Sequence, residues 1–326
     1  MDATAAAPIT LEGVRKEYPD GTVAVTGLDL HVPAGEVVVL IGPSGCGKST
    51  VLRMMNRLIE PTAGRVLLGD EDVTSVDPVT LRRRIGYVIQ NVGLFPHQDV
   101  LTNVGTVPRL LGWSKADVRE RAAEVLELVG LDPATYGRRY PSELSGGQRQ
   151  RIGVARALAA RPVVLLMDEP FSAVDPIARG NLQEEFLRLQ DGVRTTIVLV
   201  THDLDEAVRL GDRIAVLSQG GVLEQLATPR ELLGEPASPF VREFVGRDRA
   251  IRRMSVTPVT EDLLDPVAPV PDGVPAVALG TSLYEALAVL LRTNADVARV
   301  TDGDAVVGLV TRHRILSIDY PPDPTP

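Results

Sequence analysis

The sequence predicts an α/β fold with an open sheet, and three kinds of observation support that prediction. Short unbroken apolar runs occur at 37–41, 163–167, 197–200 and 214–217, and such runs are typical of strands that are buried on both faces. Segments with apolar residues at helical spacing lie between them. Polar and charged residues follow several of the runs directly, at the strand ends where open α/β sheets bind their ligands.

The composition favours a folded protein with more than one domain. A chain of 326 residues is too long for one ordinary domain and long enough for a large and a small one. The net charge of -9 argues against a nucleic-acid partner, which would need a basic stripe. No apolar run approaches the roughly 20 residues of a membrane-spanning helix, and the N-terminus lacks a secretion signal, so we expect a cytosolic protein. The single cysteine, Cys46, excludes an internal disulfide.

The first predicted strand covers 9–18, where apolar and polar residues alternate until the turn signal at 19–21. Tyr18 therefore stands near a strand end. Its ring is suited to stacking on a purine, and an ordinary strand aromatic is the alternative.

The stretch 37–58 leads from an apolar run through a glycine-rich segment into a helical pattern. The segment fits the P-loop pattern, with the residues Gly42, Pro43, Ser44, Gly45, Cys46, Gly47, Lys48, Ser49 and Thr50. Its glycines let successive N–H groups form an anion-binding nest, which the N-terminus of the helix reinforces. In such loops the lysine, here Lys48, binds the β- and γ-phosphates, and the hydroxyl of Ser49 is a ligand of Mg²⁺. The sequence therefore predicts a polyphosphate site.

One candidate ligand lies between the P-loop and the next buried run. After a turn at 61–64, the segments 65–69 and 85–90 are predicted strands, and Gln90 closes the second of them. Its amide is suited to holding a metal-bound water or to sensing the γ-phosphate, and a surface polar residue at a strand edge is the alternative. The segment 115–131 is predicted to be an amphipathic helix.

A second special helix N-terminus is predicted at Ser145. Ser145 and Gln148 form a capping box for a helical stretch that runs to Ala160. Gly146 and Gly147 lie in its first turn, where each glycine costs about 1 kcal/mol relative to alanine. That cost is explained if a ligand must approach the backbone closely, which makes this helix end a second phosphate site. A poorly chosen cap is the alternative.

Two further strand ends carry candidate catalytic groups. The run 163–167 leads directly into Asp168 and Glu169. Asp168 is suited to binding Mg²⁺, and Glu169 is suited to polarising the attacking water as a general base. The run 197–200 is followed by His202, which we expect to face the same crevice, whereas a structural role is the alternative for a lone histidine at a strand end.

Together these motifs resemble those of the ATP-binding subunits of ABC transporters, over 9–249. The resemblance implies a P-loop NTPase domain of the ABC type with a helical subdomain, and ATP and Mg²⁺ as cofactors. The matching positions are the Walker A residues Lys48 and Ser49, the Walker B acid Asp168, the catalytic glutamate Glu169, the Q-loop residue Gln90, the signature sequence 144–148, the D-loop 172–175 with Val174 in place of the usual leucine, the switch histidine His202, and the adenine-stacking aromatic Tyr18.

The resemblance also implies partners. In this family the signature of one subunit faces the P-loop of another, so each ATP lies between two copies of the chain. Integral-membrane permease subunits bind the ATPase at the cytoplasmic face of the plasma membrane, and an extracytoplasmic solute-binding protein acts with it indirectly. The runs 87–97 and 240–249 look like those of osmoprotectant importers, whose substrates are quaternary ammonium compounds such as glycine betaine, carnitine and choline.

Two other functions fit part of the pattern. A soluble ABC-type ATPase of translation or DNA repair usually carries two motif sets or a long insertion, and this sequence has neither. An importer of another solute, such as an amino acid or a polyamine, would carry the same motifs, because the chain itself contains no solute site. Uptake assays with a co-purified permease discriminate between these importers.

The sequence after residue 249 changes in character. Prolines predict a stiff connector over 250–275, followed by a small α+β module at 276–320 and a tail at 321–326. In the module, Ser282 and Glu285 are predicted to form a capping box for a helix. A hairpin is predicted after it. The apolar face of the helix comprises Leu283, Ala286, Leu287, Leu290 and Leu291.

This module resembles a single CBS module, half of the tandem pair that is often fused to osmoprotectant ATPases. In nucleotide-binding CBS modules the threonine matching Thr311 is followed three residues later by an aspartate that binds ribose. Arg314 occupies that place here, which argues against adenosine binding. Regulation and dimerisation both remain open, and we expect pairing with the second copy because one module has a small core.

Overall fold

The computed structural model describes residues 6–90, 92–172, 174, 176–193, 195–266 and 273–317. The chain divides into two compact units, Met1–Leu226 and Ala227–Pro326, and each is treated by itself. The strands are β1 Ile9–Glu17, β2 Val23–Val32, β3 Val37–Ile41, β4 Ala63–Leu68, β5 Glu71–Asp72, β6 Ile85–Val88, β7 Val164–Asp168, β8 Thr196–Val200, β9 Arg213–Ser218, β10 Val222–Ala227, β11 Ala276–Ala278, β12 Val297–Asp302 and β13 Ala305–Thr311.

The helices of both units are numbered in chain order. They are α1 Lys48–Met55, α2 Pro78–Arg84, α3 Val100–Val104, α4 Thr106–Leu110, α5 Lys115–Leu128, α6 Pro133–Tyr136, α7 Gly146–Leu158, α8 Pro176–Val193, α9 Leu204–Leu210, α10 Pro229–Gly234, α11 Pro239–Val245, α12 Arg249–Ser255, α13 Leu283–Arg292 and α14 Arg312–Leu316. Single 3₁₀ turns occur at Pro141–Glu143 and Glu261–Leu263.

The main sheet of the first unit explains why the candidate residues meet. Among the described residues it has six strands in the order β10-β9-β3-β8-β7-β6. The pairs β3–β8, β3–β9, β7–β8 and β6–β7 are parallel. All five residues of β3, of β7 and of β8 are buried, as the unbroken apolar runs predicted. The carboxyl ends of these strands therefore lie along one edge, where the P-loop, the acid pair and His202 follow them.

A second sheet flanks this core. It has the order β2-β1-β4-β5 within the described part of the chain, and β1 pairs antiparallel with both β2 and β4. Buried residues of β1 and β2 share one hydrophobic cluster with α1 and with the inner faces of β3, β7 and β8. The strand β2 was not predicted from the sequence.

The helices α3 to α7 form a helical layer in the first unit, as the family resemblance implied. Helix α5 packs on α7, and α7 also packs on β6. Both helices carry buried apolar residues, among them Val125 of α5 and Ile152 of α7. The predicted capping box at the start of α7 is confirmed, because Ser145 Oγ accepts from the N–H of Gln148 and Gln148 Oε1 accepts from the N–H of Ser145.

The second unit has an α+β arrangement with a small sheet of strands β11, β12 and β13. Strand β12 pairs parallel with β11 and antiparallel with β13, so the predicted hairpin is confirmed. Ser282 caps α13 by accepting from the N–H of Glu285, but the predicted capping box is incomplete because the Glu285 side chain does not accept from the N–H of Ser282. The predicted apolar face of α13 is wrong at one position, since Leu291 is 59% exposed. The buried stripe is centred on Leu283, Ala286 and Leu290, and Leu291 lies beyond its edge.

The boundary between the units differs from the sequence prediction. The compact units divide after Leu226 rather than after residue 249. The predicted connector 250–275 is packed over much of its described length, because Met254 and Val259 are buried in the core of the second unit. Met254 and Val259 are apolar and are stabilised by burial in a core. The prolines in the same stretch led to the prediction of a connector instead. Residues 267–272, and the tail 321–326, lie outside the described residues.

Candidate active site

Glycines shape both ends of the predicted phosphate loop. Gly42 and Gly47 have φ angles of 156° and 108°, in the region that L-residues rarely adopt. A Cβ atom on Gly42 would lie 2.1 Å from the carbonyl oxygen of Leu217 in β9, and one on Gly47 would lie 2.6 Å from that of Ala24 in β2. The loop therefore runs directly against two strands, and glycine is required at both positions.

Lys48 is held inside this loop and is 7% exposed. Its Nζ donates to the carbonyl oxygens of Gly42 and Pro43, at 2.8 and 3.0 Å. These bonds keep a positive charge at the N-terminal end of α1, where the helix dipole and the free N–H groups also favour an anion.

Ser49 and Asp168 join the P-loop helix to the end of β7. The hydroxyl of Ser49 donates to Oδ1 of Asp168 at 2.9 Å. Burial raises the pKa of Asp168, while the Ser49 hydrogen bond and the charge of Arg53 oppose that shift. Two hard oxygen donors therefore stand side by side, the ligand type that Mg²⁺ prefers.

Glu169 has a backbone conformation that is unusual for its residue type. Its φ is 47°, in the left-handed region, directly after the last residue of β7. The side-chain amide of Gln90 donates to Oε2 at 3.1 Å, and Nδ1 of His202 lies 3.4 Å from Oε1. The strand order of the sheet thus brings three predicted catalytic residues together from three different loops. Gln90 lies two residues beyond β6 rather than at its last position.

Several of these groups line an open cleft with a volume of about 500 Å³, which lies within the size range of small-molecule and cofactor pockets. Eight predicted residues line it, namely Ser44, Gly45, Gly47, Lys48, Ser49, Thr50, Glu169 and His202. Ala24 of β2 lines it as well and was missed from the sequence. The buried Cys46, with Gly42 and Pro43, forms the loop beneath the cleft.

Tyr18 lies close to the cleft but is not among its lining residues. Its hydroxyl is 3.5 Å from Oγ1 of Thr50, and the Nζ of Lys16 lies 5.3 Å from the centre of its ring. The stacking of Tyr18 on adenine therefore remains a prediction. Its hydroxyl lies next to Thr50 of α1.

The four predicted signature residues do not line the cleft of their own chain. Ser145, Gly146, Gly147 and Gln148 cap the N-terminus of α7. Among the described residues, a Cβ atom on Gly147 would meet the side chain of Val174 alone, at 3.8 Å. The glycine therefore leaves this helix end open to an approaching group. In the predicted D-loop, Ala173 and Asp175 lie outside the described residues.

A divalent metal would depend on the nucleotide as well as on the protein. In the described part of the chain, no group of three or more His, Cys, Asp or Glu side chains could hold a metal ion. Ser49 and Asp168 nevertheless fit Mg²⁺, which usually takes one or two protein ligands and completes its shell with phosphate oxygens and water.

Several site residues were missed by the sequence prediction. Arg53 follows Ser49 by four positions, so both lie on one face of α1, and that spacing was a usable signal. Glu206 has no comparable signal. It is 5% exposed and accepts from the hydroxyl of Thr201 at 2.5 Å, beneath the loop that carries His202.

The chain is similar to proteins of known family. The sequence profile described as ABC transporter matches residues 25–172. The choline transport ATP-binding protein OpuBA of Bacillus subtilis (strain 168) is 47% identical over 299 residues, which are 92% of this chain and 77% of that protein. The chain belongs to the ABC transporter family. Within it, the glycine betaine/carnitine/choline transport ATP-binding protein OpuCA of the same organism is 52% identical over 77% of this chain and 68% of that protein.

Solved structures of ABC cassettes share the fold. A dimeric, post-hydrolysis structure of the ATP-binding cassette MJ0796 with ADP and phosphate has a TM-score of 0.61 and 34% identity, covering 68% of this chain and 98% of that one. This ABC protein is accordingly an ATPase that binds ATP and hydrolyses it to ADP and phosphate. In the residues described, no helix combines the length and the apolarity that spanning a membrane requires.

Proposed function

We propose that this ABC ATPase powers the import of quaternary ammonium osmoprotectants, such as glycine betaine, carnitine or choline, through separate membrane permease subunits. The observation that carries the proposal is the match to OpuBA, which extends over 92% of this chain and so includes much of the second unit as well as the cleft. Such extended similarity favours a shared transport role over a shared ATPase domain alone.

ATP binding rests on the P-loop. The N–H groups between Gly42 and Lys48 surround the β- and γ-phosphates, and Lys48 exchanges its carbonyl contacts for phosphate oxygens. Ser49 and Asp168 would hold Mg²⁺, with Gln90 contributing its amide oxygen or a metal-bound water. The metal supplies positive charge that neutralises the phosphates as they separate.

Hydrolysis rests on Glu169. Its carboxylate is oriented by Gln90 on one oxygen and by His202 on the other, so it is placed to accept a proton from the attacking water. His202 is 64% exposed in its side chain, which leaves it accessible to the γ-phosphate. Tyr18 stacks on the adenine ring from its position beside Thr50.

Two copies of the chain complete each site. The open N-terminus of α7, with Ser145, Gly146, Gly147 and Gln148, points its N–H groups at the γ-phosphate bound to the second copy. The dimeric cassette of similar fold supports this arrangement. The permease subunits bind the ATPase dimer at the cytoplasmic face of the plasma membrane, and an extracytoplasmic binding protein delivers the solute.

Reconstitution tests the substrate class. The ATPase is co-purified with its permease, placed in proteoliposomes with the binding protein, and assayed for uptake of glycine betaine, carnitine and choline. Amino acids and polyamines serve as competing solutes. We expect ATP-dependent uptake of the quaternary ammonium compounds only, and uptake of an amino acid or a polyamine in their place would contradict the proposal.

The segment 276–320, which is part of the second unit, is proposed to be a single CBS-like module. Its β11–α13–β12–β13–α14 order supports this proposal. Thr311 caps α14 by accepting from the N–H of Arg314 at 3.1 Å, so its hydroxyl is already engaged. An arginine in place of the ribose-binding acid makes adenosine an unsuitable ligand. The module either pairs with its counterpart in the dimer or regulates the ATPase.

A further inference from the structure

The chain segment that carries Gln90 is attached at both ends to functional parts of the ATPase unit. At one end the Gln90 amide donates to Glu169 in the cleft. A few residues later, the carbonyl oxygens of Val92 and Gly93 accept hydrogen bonds from Arg156 of α7. The same helix begins at the signature residues, so one segment links the catalytic glutamate to the helix that serves the second copy.

The guanidinium of Arg156 donates two hydrogen bonds to this segment. Its Nη1 donates to the Gly93 carbonyl at 2.8 Å and its Nη2 donates to the Val92 carbonyl at 2.7 Å. A planar guanidinium can satisfy two successive carbonyls in one plane, whereas the ammonium group of a lysine cannot match both in this way. Burial lowers the pKa of Arg156, and this partly dry environment strengthens both charge-assisted bonds.

Gly153 brings the segment directly onto the helix backbone. It precedes Arg156 by three residues and so lies on the same face of α7. A Cβ atom at Gly153 would lie 2.3 Å from Cγ1 of Val92. Close contact with Gly153 and the two hydrogen bonds from Arg156 therefore act at one place, and they hold the segment against the C-terminal half of α7.

We infer that Arg156 is a positioning residue that couples Gln90 to the signature end of α7. Helix α7 has 13 residues, about 20 Å at 1.5 Å per residue, and is packed against α5 and β6. A shift of the Gln90 segment on ATP binding is thus passed through Arg156 to a rigid helix and displaces Ser145 to Gln148 at its other end. The inference rests on the proposed roles of Gln90 and of the signature residues.

Arg121 of α5 provides a matched control. Its Nε and Nη2 donate to the carbonyl oxygens of Ala159 and Leu158, at 3.2 and 3.1 Å. It is therefore also a part-buried arginine bonded to two successive carbonyls at the C-terminal end of α7. Those carbonyls belong to α7 itself rather than to the Gln90 segment, so loss of Arg121 weakens the helical layer without breaking the proposed link.

The test is a double-mutant cycle on the full-length ATPase, with kcat, KM for ATP and thermal stability measured for each variant. We expect Arg156→Met to lower kcat about tenfold and to change KM by less than about twofold, because ground-state binding of ATP does not use this link. Gln90→Ala combined with Arg156→Met should be no slower than the slower single variant. Gln90→Ala combined with Arg121→Met should show the product of the two single effects.

Multiplicative losses for Gln90→Ala with Arg156→Met would overturn the coupling, and so would equal losses of kcat in Arg156→Met and Arg121→Met at equal stability. The cycle is repeated with Arg156→Lys, which keeps the charge and one hydrogen bond and should recover part of the loss. Dimer formation with ATP is measured separately in a Glu169→Gln background. If the Glu169→Gln protein does not dimerise with ATP, the proposed two-copy site is wrong. The proposed coupling through Arg156 is judged by the double-mutant cycle alone.

Discussion

At the scale of single residues, the candidate site contains the buried cation Lys48 and two carboxylates, Asp168 and Glu169, which differ in their exposure to solvent. Lys48 and Asp168 are both under 10% exposed, and each is engaged by groups of the loop or of α1. Glu169 is more accessible and is contacted by Gln90 and His202. The buried groups are thus placed for binding, and the accessible one is placed for chemistry.

Replacement of Lys48 by alanine should weaken ATP binding about 10- to 100-fold, because the phosphates lose a charge-assisted hydrogen bond of about 1.5–3 kcal/mol. Binding is measured by calorimetry in the presence of Mg²⁺. Lys115→Ala removes the same charge from the start of α5 and serves as the control. Equal ATP affinity in the Lys48 variant and the parent would contradict the P-loop assignment.

Glu169→Gln should retain ATP while losing most of its turnover. Glutamine keeps the shape and can still accept from Gln90, but it cannot take a proton from water, and a general base typically contributes about 10²–10⁴-fold. Phosphate release is measured together with ATP-dependent dimerisation, which should increase. A variant that hydrolyses ATP like the parent would make His202 the candidate base.

Glu206 should make stability depend on pH. Burial raises the pKa of Glu206 from 4.5 to about 7, Asp203 adds to the shift, and Thr201, Arg179 and His202 oppose it. The folded chain therefore holds an extra proton between those two values. The resulting stabilisation is complete below pH 4.5 and is lost as the pH rises through about 7.

Glu206→Gln should remove this dependence, because an amide stays neutral at every pH. At about pH 8 the variant should be more stable than the parent by on the order of 3 kcal/mol, and the difference should vanish near about pH 4. Urea unfolding at both pH values measures it. Glu127→Gln changes the same charge at an exposed site of α5 and should give no such trend. A constant difference between the Glu206 variant and the parent would exclude the buried acid as its cause.

At the scale of elements, the P-loop packs closely against two strands, in addition to its proposed role as a phosphate site. Gly42→Ala should destabilise the fold by more than about 2 kcal/mol. The new Cβ would clash with the β9 backbone, and alanine would also have to adopt an unfavourable φ angle. Gly45→Ala is the control, since its φ of 80° is also strained but a Cβ there would meet no atom of the described residues within 4 Å. Thermal unfolding of both variants measures the difference, and equal losses would show that strain alone sets the cost.

At the scale of the whole molecule, the cleft lies in the first compact unit and the proposed CBS-like module belongs to the second. Every cleft residue precedes Leu226, so a chain that ends at Arg249 should keep basal ATPase activity within about twofold. The cut removes Met254 and Val259 and with them the core of the second unit. A truncated chain that binds ATP and fails to hydrolyse it would show that the second unit contributes to catalysis.

Regulation by the module is judged in transporters rather than in the isolated ATPase. Full-length and truncated complexes are compared in proteoliposomes over a range of salt concentrations. A module that stabilises one state of the dimer over the other should change the salt response when it is removed. Identical responses would leave dimerisation as its role.

The sequence by itself determined those features that depend on local pattern. Unbroken apolar runs predicted β3, β7 and β8, and the spacing of glycines and Lys48 predicted the phosphate loop, because backbone conformation and burial leave direct marks on nearby residues. The capping box at Ser145 was readable for the same reason, since cap and partner are three residues apart. Each of these predictions depends on fewer than about ten consecutive residues.

Only the tertiary structure decided which of these pieces meet. Gln90 contacts Glu169 because β6 and β7 are neighbours, although the two residues are 79 positions apart in the sequence. Arg156 and Val92, which are hydrogen-bonded, are 64 positions apart in the sequence. Met254 is buried against a sheet whose strands lie at least 20 residues further along the chain. Strand order and packing between distant segments are set by the global minimum of free energy, which no local pattern records.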